Sequence, residues 1–179
     1  MKAFLIVDVQ NDFCPGGALG APGNDEVVPV INAIQDKFDL VVASKDWHPE
    51  GSIHFEKWPV HCVANSKGAE FHPELNTKTI DKIFLKGTGN KDDGYSAFEA
   101  TSDDLKQYLK NKGVDELYVA GLTTDYCVKN TVLDAVKFFK TIVVEDGIRA
   151  VDVNPGDGDK AIEEMKQAGA IFTNSSKIQ

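Results

Sequence analysis

The sequence predicts an α/β fold: a Rossmann-like three-layer α/β/α sandwich with a mainly parallel sheet of about six strands. Short apolar runs alternate along the chain with segments whose apolar residues recur at helical spacing. Each run is continuously hydrophobic rather than alternating, as is typical of parallel strands buried on both faces. Because 179 residues fit one domain with a sizeable core, we expect a single domain over residues 1–179.

Six apolar runs predict the strands, at residues 4–7, 40–43, 83–85, 117–120, 141–144 and 170–172. Helices are predicted between them by apolar residues at helical spacing: Val27, Ile31, Ile34 and Phe38; Leu105 and Leu109; Val128, Val132, Ala135 and Phe139; Ile162 and Met165. Gly113 and Gly169 lie where two of these helices should end. Two long loops, 15–24 and 46–79, hold five of the seven prolines, and loops of this length are usually functional.

The composition argues against several classes of function. A net charge of -9 disfavours a nucleic-acid partner, because phosphate binding requires a basic face. The basic residues are scattered among acids and no apolar run approaches the length of a membrane span, so no membrane role is expected. Three cysteines, Cys14, Cys62 and Cys127, are too few for a disulfide framework, and we expect a reducing, cytoplasmic setting.

Histidine is concentrated in one loop. Three of the four histidines, His48, His54 and His61, follow the second predicted strand together with Asp46. Imidazole and carboxylate groups suit divalent ions such as Zn, Fe, Mn or Co. At the end of a strand, the spacing of Asp46 and His48 turns both side chains to one side. Four unrelated surface residues are the alternative, but such clustering of few histidines favours a metal site.

The carboxyl ends of the predicted strands carry a second group of reactive residues. Open α/β sheets bind ligands at this edge. Asp8 follows the first strand, Lys86 the third, and the turn 121–127 with Cys127 the fourth. We therefore expect an acid, a base and a thiol beside the metal ligands.

Each of these three residues could take part in catalysis or could have an ordinary structural role. Cys127 at the start of a helix favours the thiolate, although cysteine is most often a small buried hydrophobe. Asp8 beside a thiol can accept its proton, although aspartate also caps turns. Lys86 facing both can hold Asp8 ionised and favour the thiolate, although a lone lysine is most often solvated. Their shared location favours the functional interpretation of all three.

Six segments extend these patterns over nearly the whole chain: 5–19, 45–49, 58–63, 86–87, 95–98 and 121–128. Together they resemble the nicotinamidase/pyrazinamidase branch of the isochorismatase-like cysteine hydrolases. The Asp…Lys…Cys set marks that superfamily. The pattern Asp-x-His…His…Trp-Pro-x-His-Cys is the narrower mark of the nicotinamidases, since isochorismatases proper lack it.

The resemblance implies roles for residues of this chain. It makes Asp8, Lys86 and Cys127 a catalytic triad. It makes Asp46, His48, His54 and His61 the ligands of one divalent metal ion, with Zn as the first choice and Fe or Mn as alternatives. Phe13 and Trp58 would stack on a pyridine ring, with Tyr95 beside them. A cis peptide at Leu122–Thr123 would direct the N–H groups of Thr123 and Cys127 into an oxyanion hole. His72 matches no ligand position and is expected to be structural.

The activity implied is hydrolysis of nicotinamide to nicotinate and ammonia through a cysteine thioester, in NAD salvage, with pyrazinamide as a second substrate. The pyridine nitrogen would meet the metal directly or through water, and the protein is expected to form a homo-oligomer. Three alternatives stay open. They are a related cysteine hydrolase acting on another small amide or ureido compound, a metallohydrolase in which Cys127 is incidental, and a non-catalytic binding protein.

Overall fold

A computed structural model describes residues 1–179 and contains one sheet of six parallel strands. The strands are β1 (Lys2–Val7), β2 (Leu40–Asp46), β3 (Lys82–Lys86), β4 (Glu116–Leu122), β5 (Lys140–Arg149) and β6 (Ile171–Thr173). Their order across the sheet is β3-β2-β1-β4-β5-β6, and every neighbouring pair is parallel. All six predicted strands are confirmed, and the sheet is wholly rather than mainly parallel.

Four α-helices connect the strands: α1 (Val27–Ile34), α2 (Leu105–Asn111), α3 (Lys129–Ala135) and α4 (Asp157–Gln167). The helix predicted to reach Phe38 is shorter, because a 3-10 turn follows α1 and Phe38 is extended, with its ring stacked 4.8 Å from that of Phe4. Gly113 and Gly169 follow α2 and α4 with φ of +76° and +104°, as the sequence predicts for helix ends.

The helices cover both faces of the sheet and complete three layers. Ala3, Leu5 and Val7 of β1 pack with α2, α3 and α4 on one face, whereas Phe4 and Ile6 pack with α1 on the other. Successive side chains of a strand point to opposite faces, so a strand covered on both sides must be apolar throughout. None of the helices has the length and apolar character that crossing a bilayer requires.

The connections reverse direction between β1 and β4, at the centre of the sheet. In open α/β sheets such a reversal opens a crevice at the carboxyl ends of the two strands, where ligands bind. Gly121 lets β1 and β4 approach closely there: its φ is +125°, and a Cβ atom on it would lie 2.1 Å from the carbonyl oxygen of Val7. The crevice therefore depends on a residue without a side chain.

Replacing Gly121 with alanine is expected to lower the free energy of unfolding by about 3 kcal/mol or more, at the upper end for a single substitution. The added methyl group would force β1 and β4 apart. Gly113→Ala is the matched control, because Gly113 also has a positive φ but has no atom within 4 Å of the added methyl. Gly113→Ala should lower the free energy of unfolding by only about 1–2 kcal/mol, through backbone strain alone. Urea unfolding of both variants measures the difference, and equal losses would contradict the close-approach argument.

Candidate active site

Cys127, Asp8 and Lys86 meet at the carboxyl ends of β1, β3 and β4. The Lys86 ammonium lies 2.7 Å from Asp8 Oδ2 and donates to Cys127 Sγ at 3.4 Å. It also donates to the Gly94 carbonyl oxygen at 2.6 Å and to Asp46 Oδ1. All of these groups are buried, so the lysine is an internal cation rather than a solvated one.

Cys127 lies in a π-helical turn, Thr124–Val128, that directly precedes α3. Single π-helical turns are frequent at functional sites because they change the direction in which a side chain points. The predicted position of Cys127, at the start of a helix after β4, is confirmed except that its turn is π-helical. Its thiol therefore faces Lys86 and the cavity described below.

Burial and the charge of Lys86 act in opposite directions on the pKa of the Cys127 thiol. Burial raises the pKa of the Cys127 thiol well above its ordinary value, and the opposing charge of Lys86 does not offset it. Lys86 acts in the expected direction, since its charge lowers the pKa of the Cys127 thiol, but the opposing effect of burial could not be judged from the sequence. Burial also raises the pKa of Asp8, against the opposing effect of Lys86, and a carboxylate with a higher pKa is a stronger base. The side-chain ligand atoms of Asp8 and Cys127 lie within 4.8 Å of each other, so the thiol has a potential proton acceptor beside it.

Lys86 stays charged in this buried setting. Burial alone would lower its pKa, but the carboxylates of Asp46 and Asp8 hold it well above its ordinary value. Ser44 donates a 2.7 Å hydrogen bond to Asp8 Oδ1, which fixes the carboxylate from the side opposite the lysine. The side-chain amide of Gln10 pairs with the backbone of Asp46, donating to its carbonyl and accepting from its N–H. The two acids are therefore held in place independently of Lys86.

The three predicted histidine ligands converge beside Asp46. The ligand atoms of His48, His54 and His61 lie within 4.8 Å of one another. Asp46 Oδ2 is 3.5 Å from His48 Nε2 and 3.7 Å from His61 Nε2. Each imidazole has its Nδ1 close to an oxygen: the Gly87 carbonyl for His48, Asp92 for His54 and the Pro59 carbonyl for His61.

These contacts fit a divalent metal ion. An Nδ1 that donates to an oxygen leaves Nε2 with a free lone pair, which is the usual arrangement for a metal-binding histidine. Buried His48 Nε2 has no hydrogen-bond partner in the chain, although buried polar atoms are nearly always paired. Three imidazoles and one carboxylate are a donor set that suits Zn and related ions. His72 lies apart from this group, and its Nδ1 accepts from the Glu74 N–H, which agrees with a structural role.

Cys127 and two of the histidines, His54 and His61, line the same cavity. Its lining includes the three predicted aromatic residues, Phe13, Trp58 and Tyr95. It also includes the nucleophile and three predicted metal ligands: Cys127, Asp46, His54 and His61. Leu19, Tyr126 and Val151 also line it and were not predicted; Leu19 and Tyr126 lie in segments that carry the resemblance, whereas Val151 lies outside them. Tyr126 adjoins Cys127 in sequence and meets Trp58 edge-on at 4.9 Å between ring centroids, a contact that only the folded chain reveals.

Thr123 and Cys127 both line the cavity. The peptide bond Leu122–Thr123 is cis, as the resemblance implies. The N–H of Thr123 donates to no acceptor within the chain, so it is free to bind an oxygen of a ligand. This arrangement agrees with the predicted oxyanion hole.

Comparison with known proteins gives a consistent relationship over the whole chain. The isochorismatase domain model matches residues 2–177. The chain is 42% identical to the nicotinamidase of Escherichia coli (strain K12), covering 96% of this chain and 93% of that protein.

Two solved structures are similar to this one. The pyrazinamidase of Pyrococcus horikoshii in complex with zinc superposes with a TM-score of 0.87 at 40% identity, covering 97% of this chain and 98% of that one. PnC1 of L. infantum in complex with nicotinate has a TM-score of 0.92 at 35% identity, covering 98% and 93%. The chain therefore belongs to the isochorismatase family, in its nicotinamidase/pyrazinamidase branch.

Proposed function

We propose that this protein is a nicotinamidase, an amidohydrolase that converts nicotinamide to nicotinate and ammonia and also accepts pyrazinamide. One observation carries the proposal: Cys127 and two of the three clustered histidines, His54 and His61, line one cavity that also has aromatic residues in its wall. The names of the similar proteins support it, since they include a nicotinamidase, a pyrazinamidase with zinc and a protein bound to nicotinate.

The cavity suits a flat heteroaromatic amide. Phe13 and Trp58 present ring surfaces to the cavity, and Tyr95 lies beside Trp58, whose indole N–H donates to the Tyr95 hydroxyl at 3.1 Å. Aromatic rings favour offset stacking or edge contacts, which would orient a pyridine between these walls. The carboxamide would then face Cys127 and Thr123.

The buried residues account for a thioester route. Asp8 accepts the proton of the Cys127 thiol, and the sulfur forms a bond to the carboxamide carbon. The negative charge that develops on the amide oxygen is stabilised by the N–H groups of Thr123 and Cys127, which are fixed beforehand. Asp8 then protonates the leaving nitrogen, the C–N bond breaks, and ammonia departs.

Hydrolysis of the thioester completes the cycle. Asp8 takes a proton from a water molecule, whose oxygen attacks the acyl carbon, and the C–S bond breaks to release nicotinate. The returned proton restores the Cys127 thiol. Throughout, Lys86 balances the charge of Asp8 and Asp46, so the carboxylates remain usable in a buried site.

Asp46, His48, His54 and His61 would hold one divalent ion, with zinc as our first choice and iron or manganese as alternatives. The donor set and the unpaired Nε2 of His48 support this assignment. When bound, the ion supplies a Lewis acid that attracts the pyridine nitrogen directly or through water. The role in NAD salvage, the cytoplasmic setting and the homo-oligomer remain predictions.

Purified protein loaded with zinc is expected to release ammonia from nicotinamide and from pyrazinamide. Benzamide is the matched control substrate, since it has the same shape but no ring nitrogen, and we expect at least about 10-fold lower kcat/KM for it because one polar contact is lost. Coupled detection of ammonia measures all three. Absence of release from nicotinamide, with release from a ureido or carbamoyl compound, would move the assignment to the related cysteine hydrolases.

A further inference from the structure

Two loops contribute to the cavity lining and are joined by the carboxylate of Asp92, together with a 2.8 Å hydrogen bond from the Ile53 N–H to Asn90 Oδ1. The first loop, residues 52–58, carries His54 and Trp58, and the second, residues 87–95, carries Asp92 and Tyr95. Asp92 Oδ1 lies 2.9 Å from His54 Nδ1 and accepts a 2.9 Å hydrogen bond from the Tyr95 hydroxyl. Its other oxygen pairs with Lys57. No sequence motif marked Asp92.

These contacts continue to the substrate wall. The Tyr95 hydroxyl accepts the indole N–H of Trp58 at 3.1 Å, so that four side chains form one hydrogen-bonded chain: His54, Asp92, Tyr95, Trp58. His54 belongs to the histidine cluster, and Trp58 and Tyr95 line the cavity. One end of the chain therefore lies at the metal ligands and the other at the aromatic wall.

We propose that Asp92 is a positioning residue that couples the metal site to the aromatic wall of the pocket. By accepting from His54 Nδ1, Asp92 leaves Nε2 as the metal-binding atom and fixes the ring orientation. By accepting from Tyr95 with the same oxygen, it fixes the hydroxyl that receives the Trp58 indole. A metal ion that fixes the orientation of His54 should therefore also fix the orientation of Trp58. This inference rests on the proposed metal site.

A merely structural role for Asp92 would have a different signature. Loss of an exposed ion pair with Lys57 lowers stability slightly and affects neither metal affinity nor Trp58. Loss of an oxygen acceptor behind a metal-binding histidine typically weakens metal binding 10- to 100-fold. The coupling also predicts that metal binding changes the environment of the Trp58 indole. A surface ion pair between Asp92 and Lys57 would cause no such change.

The test uses zinc as the probe and two measurements on the whole protein. Zinc affinity is measured by competition with a chromophoric chelator. The hydrogen bond of Trp58 is followed by its indole N–H signal in spectra of ¹⁵N-labelled protein, which has only two tryptophans. Trp58→Phe assigns that signal. Addition of zinc to the metal-free parent protein is expected to shift it.

Three variants and one control distinguish the effect of Asp92 on metal binding from its effect on Trp58. Asp92→Ala should weaken zinc binding 10- to 100-fold and abolish the zinc-dependent shift of the Trp58 signal. Tyr95→Phe should keep zinc affinity within about 2-fold, because His54–Asp92 is intact, but should abolish the shift. Asp92→Asn, which keeps an oxygen acceptor, should restore most of the zinc affinity. Asp93→Ala, the neighbouring carboxylate without a hydrogen bond or ion pair, should behave as the parent protein.

Several outcomes would overturn the inference. Parental zinc affinity in Asp92→Ala, or a retained zinc-dependent Trp58 signal, would show that Asp92 does not couple the two sites. A parent protein that binds zinc without any change at Trp58 would overturn the coupling while leaving the metal assignment intact. A parent protein that binds no zinc would overturn the metal assignment itself, and the coupling with it.

Discussion

Cys127→Ala is expected to lower kcat/KM for nicotinamide on the order of 10⁴- to 10⁶-fold, by analogy with removal of triad residues from other nucleophilic hydrolases. The reason is that the sulfur forms the bond to the carboxamide carbon, and no other nucleophilic side chain lines this part of the cavity with an adjacent base. Asp8, Lys86 and the histidine cluster remain, so substrate and metal should still bind. The loss should therefore appear in kcat rather than in zinc content.

Cys14→Ala is the matched control. Cys14 is another buried cysteine, but it lies outside the cavity that Cys127 lines. Its removal should cost some stability and leave turnover close to that of the parent protein. Steady-state ammonia release measures both variants, and retained zinc in Cys127→Ala shows that the site has not collapsed.

Trapping the intermediate distinguishes the remaining mechanisms. Parent protein mixed briefly with excess nicotinamide and quenched in acid should carry a nicotinoyl group on the peptide that contains Cys127, and hydroxylamine should remove it. A metallohydrolase in which Cys127 is incidental would instead keep substantial activity in Cys127→Ala and carry no acyl group. A binding protein would release no ammonia in either form.

Much of the fold was predictable because a parallel sheet covered on both faces leaves a strong signal. Its strands must be apolar throughout, and the connecting helices must repeat at helical spacing, so each run of the sequence indicated one element. The ends of elements were less predictable. Phe38 fits the helical pattern of α1, but its ring stacks on Phe4 from an extended segment, a tertiary contact without a local signal.

The chemically reactive residues were predictable for a related reason. Asp8, Asp46, Lys86 and Cys127 follow or end strands, and topology alone brings the carboxyl ends of parallel strands together. Their protonation was not predictable, since the pKa of Cys127 depends on complete burial. Ser44, Gln10 and Asp92 were also missed. Asp92 is 38 residues from His54 in sequence, and only the folded loops show that the two meet.

Lys86→Met is expected to affect both stability and turnover strongly. Lys86 is fully buried and forms ion pairs with two buried carboxylates, Asp8 and Asp46. Methionine fills a similar volume but leaves these charges without a partner, which typically costs about 3–5 kcal/mol. Turnover should fall as well, because Asp8 would bind a proton more readily and would then be unable to accept the proton of Cys127. Urea unfolding, with chelator present in all samples, and ammonia release measure the two effects.

If unpaired charge destabilises Lys86→Met, its loss of stability should depend on pH. Burial already raises the pKa of Asp8, and Lys86 opposes that rise, so its removal should raise the folded-state pKa further above the unfolded value. A group with a raised folded-state pKa contributes stability below that pKa and loses it as the pH increases. The deficit of Lys86→Met relative to the parent should therefore grow as the pH rises above the ordinary pKa of an aspartate and through the raised pKa of Asp8. The double variant Asp8→Asn/Lys86→Met should recover part of the stability at pH 8, because the unpaired charge of Asp8 has been removed. It should remain inactive, because Asp8 is also the base that accepts the proton of Cys127. A deficit independent of pH and unchanged in the double variant would mean that lost packing, rather than unpaired charge, destabilises Lys86→Met.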